Sequence, residues 1–165
     1  MVLTESVRIG LLYNASGNIY AGGLSMNLKI KVKNLELKPY VQFLQSLELK
    51  GKASRGRSKV AKALDERNME YIKDVESIQK EYFKTNKSGK LVADKEGNLT
   101  PKDETSIEKA QKSMEELQNE SSVIDLTSYP EQVGAFVKEM DNYDKEFSNA
   151  EATTYDEIMS KFEEE

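Results

Sequence analysis

Val60, Leu64, Tyr71, Val75, Ile78 and Tyr82 succeed one another at spacings of four, seven, four, three and four. An α-helix brings such positions to one side, so the stretch from about Ser54 to Lys84 is expected to be a single long helix. Its stripe has the character of a coiled-coil seam, broken near Arg67 or Asn68, on a rod of about 45 Å. A rod of that length persists in water only when its apolar stripe is covered. Ile107, Ala110, Met114 and Leu117 supply a second stripe at spacings of three, four and three. The two segments are therefore expected to lie antiparallel as a helical hairpin, with Leu64, Tyr71, Val75, Ile78 and Tyr82 facing the shorter helix. The composition, 38% hydrophobic and 32% charged in 165 residues, suits thin elements around a modest core.

The connection at 85–100 carries Asn86, Gly89, Gly97 and Asn98 around Lys90-Leu91-Val92-Ala93, and reads as a loop or small ribbon at the tip of the rod. Thr100-Pro101-Lys102-Asp103 then signals a helix start, with a capping threonine, a first-turn proline and an acid facing the exposed backbone donors. Upstream, Leu28, Ile30 and Val32 alternate with Lys29, Lys31 and Lys33, which predicts a half-buried strand with a basic outer face. Leu35 and Leu37 continue the alternation after a shift at Lys33-Asn34, consistent with a bulge or the strand's end. Pro39 suits the first turn of a short helix carrying Tyr40, Phe43, Leu44 and Leu47 and ending near Lys50-Gly51. Val123-Ile124-Asp125-Leu126 is a plausible partner for the strand. Ser128-Tyr129-Pro130 opens a helix with Val133, Phe136, Val137 and Met140, and Ala152, Tyr155, Ile158, Met159 and Phe162 mark a last one. No repeat of fixed period is apparent. The fold class expected is α+β, mostly α: a long antiparallel helical hairpin with a small β-sheet and C-terminal helices.

Residues 1–25 read differently, as an N-terminal extension or hairpin: a strand candidate at 7–13, a turn at 14–18, then Ile19-Tyr20-Ala21. Met26 is expected to open the strand around Ile30, so that 26–165 forms one α+β domain. The longest apolar run, Ile9-Gly10-Leu11-Leu12-Tyr13, falls far short of the roughly 20 residues that cross a bilayer. The expected setting is the cytosol where the chain is made, or a particle assembled there, with no membrane association.

The chain contains no His and no Cys. A His-dependent triad, a cysteine nucleophile, the usual zinc sets and thiolate-held clusters are thereby excluded. The carboxylates form no EF-hand ladder, and none stands out as a catalytic pair. No catalytic residue, metal or cofactor is expected. Charge is more informative: residues 26–62 hold ten basic and two acidic groups, and residues 100–165 six basic and eighteen acidic. These opposite blocks either neutralise each other within the fold or face separate partners. The densest basic run, at 50–59, makes Lys50, Lys52, Arg55, Arg57 and Lys59 the candidate partner- or anion-binding residues. On the alternative reading, Glu48 and C-terminal acids occupy these cations internally. A sequence pI near 5.1 argues against direct nucleic-acid binding. On a further reading, the acidic third imitates a phosphate backbone before a DNA-binding partner. Among the aromatics, Tyr40, Tyr129 and Tyr155 are candidate interface anchors.

The segment Met26-Asn27-Leu28-Lys29-Ile30-Lys31-Val32-Lys33-Asn34, the stretch Leu47-Glu48-Leu49-Lys50-Gly51-Lys52-Ala53-Ser54-Arg55-Gly56-Arg57 and the long charged helix after it resemble a family of small proteins of Gram-positive tailed phages, domain-of-unknown-function family 1617. The likeness spans about residues 26–165 and is most specific at 49–57. It implies a phage origin and a gene near the late tail or lysis module, and brings no catalytic residues with it. The function expected is that of a non-enzymatic factor binding a host or anti-phage defence protein. The alternative is a virion-associated or tail-assembly component that self-associates through its helices.

Overall fold

The computed structural model describes residues 12–13, 19–21 and 24–163. β1 (Leu12–Tyr13), β2 (Ile19–Ala21) and β3 (Leu24–Met26) form a small antiparallel sheet in sequence order. β1 pairs antiparallel with β2, Leu12 opposite Tyr20 and Tyr13 opposite Ile19, while residues 7–11 and the turn at 14–18 of the expected hairpin lie outside the described residues. Met26 closes β3 instead of opening the next strand. The chain turns at Asn27, whose N–H donates to Phe162 O at 2.9 Å and whose Oδ1 accepts from the Lys29 amide at 3.0 Å. β4 (Lys29–Lys33) pairs antiparallel with β5 (Ser121–Asp125), setting Ile30 opposite Ile124 and Lys31 opposite Val123. Ile30, Val32 and Ile124 are buried and the three lysines exposed, as the alternation requires.

No bulge follows β4. α1 (Asn34–Ser46) begins at once, five residues before Pro39, which lies inside it. The Glu36 carboxylate accepts from the Lys33 amide at 2.7 Å, and Asn34, buried, donates from Nδ2 to Leu117 O at 2.8 Å. These bonds fix the start of the helix. Leu37, Tyr40, Val41 and Leu44 then line its buried face, and Leu35 points outward. The apparent strand continuation through Leu35 and Leu37 was a coincidence of two periods.

α2 (Gly51–Tyr82) is an unbroken helix of 32 residues, about 48 Å long. Arg67 does not interrupt it; its guanidinium donates to Ser122 Oγ at 2.7 Å and pairs with Glu70 at 2.9 Å. α3 (Ser106–Asn119) runs back along the distal half, where Tyr82 Oη and Ser113 Oγ lie 3.3 Å apart. The hairpin exists, with a different division of labour from the one expected. Leu64 belongs to the domain core with Val60, and only Tyr71, Val75, Ile78 and Tyr82, all half-buried, are left to the α3 side. Ala110 and Leu117 are buried and Met114 half-buried, whereas Ile107 is 50% exposed.

α3 also starts later than Thr100-Pro101 suggested, because Thr100 is engaged in the tip. The amide of Lys84 donates to Thr100 O, that of Thr100 to Val92 O and that of Val92 to Lys84 O, at 2.8, 2.9 and 2.9 Å, closing a ring of three short segments. The ring rests on an eight-residue repeat that the sequence reading missed, Asn86-Lys-Ser-Gly-Lys-Leu followed by Asp94-Lys-Glu-Gly-Asn-Leu. Asn86 Oδ1 accepts from the amides of Ser88 and Lys90, and Asp94 Oδ1 from those of Glu96 and Asn98. Gly89 and Gly97 hold the matching left-handed positions at φ +75° and +89°. Closure leaves fewer strand edges open to pair with another chain.

α4 (Pro130–Asp141) and α5 (Asn149–Ser160) complete the domain. α4 lies across the first turns of α2, with Ala53, Gly56, Val60 and Leu64 as the buried ridge at spacings of three, four and four. A Cβ on Gly56 would meet Gln132 O at 1.9 Å, so the two helices approach almost backbone to backbone. Phe136 and Phe162 pack edge to face at 6.2 Å in the centre.

Candidate functional site: a basic face of the long helix beside Tyr129

The five candidate cations do not form one cluster. At 100° per residue, Lys52, Arg55 and Lys59 share an arc of about 60°, while Arg57 lies on the opposite flank of the buried ridge. Arg57 donates from its guanidinium to Leu47 O, joining the end of α1 to the start of α2. Lys52 pairs with Glu131 at 3.2 Å. Lys59 Nζ stands 4.4 Å from the centroid of Tyr129, the residue before α4. Lys50 and Arg55 are exposed, and among the described residues neither has a carboxylate within 4 Å. The internal-neutralisation reading therefore applies to Lys52, and Glu48 turns instead to Lys145.

Of the three candidate anchors, Tyr40 is buried, Tyr155 donates to Met140 O at 3.2 Å from a half-buried site, and Tyr129 alone is open, at 37% exposure. Lys59 thus stands over the Tyr129 ring at the α2–α4 junction, and Arg55 lies one turn earlier on the same side of α2. A shallow groove of about 340 Å³ between α1 and α2 is lined by Gln45, Arg57, Ser58, Ala61, Lys62 and Asp65. Its mixed polar lining holds no convergent catalytic constellation. Among the described residues no three acids come together as a metal site, and no helix is long and apolar enough to cross a membrane.

Comparison with known proteins places these features in a family. The model for proteins of unknown function designated DUF1617 matches residues 26–165. The chain belongs to this family. Searches of curated proteins and of solved structures find no match. The match begins at Met26, within β3, and takes in every helix. Within it, the stretch at 49–57 has a packing role: Ala53 and Gly56 seat α4, Arg57 holds Leu47, and Gly51 enters the helix at φ +58°.

The division of the arginines predicts different fates for two single variants. Arg57→Gln removes a charged, half-buried donor from the carbonyl of the buried Leu47 and should lower stability by about 2 kcal/mol. Arg55→Gln should change it by no more than about 0.5 kcal/mol. Urea denaturation of the two, side by side, checks both.

Several carboxylates are held below their ordinary range by local hydrogen bonds: Glu48 by Lys145, Asp94 by the amide of Asn98, Asp103 by the Thr105 hydroxyl, Asp125 by the Thr127 hydroxyl and Glu151 by the amide of Ser148. The unfolded chain binds these protons first as pH falls. Their contribution is complete above the usual carboxylate range and is lost on acidification through it. Tyr40 acts at the other end. Its hydroxyl is buried and has no hydrogen-bond partner among the described residues, and burial foremost, then Glu36 and Glu157, push its pKa up. The unfolded tyrosine ionises near pH 10 and the buried one does not, so stability falls again above about pH 10. Urea midpoints measured from pH 3 to 11 should describe a plateau with losses at both ends.

Proposed function

We propose that this family member is a phage-encoded, non-enzymatic protein that binds an acidic surface of a host or anti-phage defence protein in the host cytoplasm. The observation that carries the reading is the face made by Arg55, Lys59 and Tyr129. Arg and Tyr are among the residue types that most often anchor protein interfaces, and here Arg55 stands exposed on α2 and Tyr129 at the entry to α4. Arg55 makes no ion pair with the described part of the fold, so its charge remains available to a partner. The net charge of −5 disfavours a nucleic acid as that partner, because the long-range field repels a polyanion.

A second reading, a virion or tail-assembly component, is favoured by the arm built from the distal half of α2 and α3. There Met69, Ile72 and Ile107 are exposed on a rigid helix pair, which suits packing against another subunit. Quantitative mass spectrometry of purified phage particles separates the two. The inhibitor reading expects the protein in the infected-cell lysate and absent from particles; a fixed number of copies per particle would overturn it and support the structural role.

A further inference from the structure

We infer that two copies of this chain associate through the outward face of α2, antiparallel about a two-fold axis at Met69. This stands on a different part of the surface from the Arg55–Tyr129 side, and it gives the Met69–Ile72 patch of the second reading a specific occupant, a second copy of this chain, whichever reading of the function holds. Along α2 the buried ridge of Val60 and Leu64 continues as the half-buried Tyr71, Val75 and Ile78. The side directly away from that ridge carries Lys62, Asp65, Met69, Ile72, Lys73 and Glu76, all exposed, within an arc of about 100°. Charged residues on such a face are ordinary. Two large apolar side chains at its centre, Met69 at 57% and Ile72 at 55% exposure, are not required by the fold.

The charge order along the face selects the occupant. In an isologous antiparallel pair, residue i on one helix meets the residue equally far on the other side of the axis. With the axis at Met69, Asp65 meets Lys73 of the second copy and Lys62 meets its Glu76, each twice by symmetry. Met69 then packs on its own mate, with Ile72 on the adjoining turn. Moving the axis to lie between Met69 and Ile72 would set Asp65 against Glu76 and forfeit the complementarity. A parallel arrangement would stack each charge on its like. The present intrahelical pairs, Lys62 with Glu66 at 3.7 Å and Lys80 with Glu76 at 2.6 Å, are exposed and exchange readily for intermolecular ones. One helix face of this size belongs to the small, reversible class of interface, so association should be concentration-dependent.

Sedimentation equilibrium of the full chain over a wide concentration range, at low and high salt, tests this. The wild type should show a monomer–dimer equilibrium that weakens with salt. Met69→Glu should abolish the dimer. Asp65→Lys and Lys73→Asp should each weaken it about tenfold or more, and the double variant Asp65→Lys/Lys73→Asp should restore it towards wild type. Circular dichroism melts confirm that each variant keeps its fold, which the exposure of these positions favours. A chain that stays monomeric at the highest concentration, a dimer indifferent to Met69→Glu, mass that grows without closing at two copies, or charge reversals that fail to rescue each other would overturn the inference.

Discussion

Gly56→Ala is expected to destabilise the protein by about 3 kcal/mol, the upper end of what a single overpacked methyl usually does. The new Cβ would lie 1.9 Å from Gln132 O, 2.6 Å from Gln132 C and 2.8 Å from Phe136 Cβ. Two of those three atoms are backbone, so no rotamer change relieves the contact and the α2–α4 pair must separate. Helix propensity works the other way, since alanine is favoured over glycine within a helix by about 1 kcal/mol. A urea titration that found the variant as stable as the parent would show that α4 does not sit on this face. Any larger residue here should be worse.

Phe136→Ala should cost about 3–5 kcal/mol, through the lost apolar transfer and the cavity left behind. Its ring is wholly buried and meets Phe162 at 74°, tying α4 to the second residue beyond α5. Because Phe162 O also accepts from the Asn27 amide, loosening the pair frees the end of α5 from the chain entering β4. Equilibrium unfolding should show the loss, and hydrogen exchange should show faster opening at Asn27. The two substitutions should not compensate, because removing the Phe136 ring leaves the Gln132 backbone in the path of a Gly56 methyl.

Strand pairing was legible in the sequence because β4 offers only one apolar face, so that a one-residue slip would turn Ile30 to solvent, whereas Val123 and Ile124 of its partner lie on opposite faces and only the pairing buries Ile124. The long helix was legible for the same reason, at period 3.6. The element boundaries were not. Leu35 fitted a strand alternation while Leu37, Tyr40, Val41 and Leu44 fitted a helix, and the bonds from Lys33 to Glu36 and from Asn34 to Leu117 decide between them. Thr100 had the features of a helix cap, but its amide and carbonyl close the tip ring, a non-local arrangement that no window around Thr100 displays.

The basic run concealed a contact for a related reason. Ala53 and Gly56 extend the Val60–Leu64 ridge in register, and small residues at those spacings signal a close helix crossing, yet the five cations around them drew attention to charge. The structure separates the two signals. The ridge seats α4, Arg57 serves the α1–α2 joint, and Arg55 and Lys59 remain on the outer side, with Lys59 over the Tyr129 ring.

Quantitative capture from infected-cell lysate, comparing the wild type with Arg55→Gln/Lys59→Gln, tests the proposed binding face most directly, provided both proteins show the same thermal midpoint. The account predicts that a protein retained by the wild type at low salt is depleted at least tenfold on the double variant and is also released from the wild type by added salt. Equal retention of that protein by both would contradict the account and move the binding surface away from the α2–α4 junction.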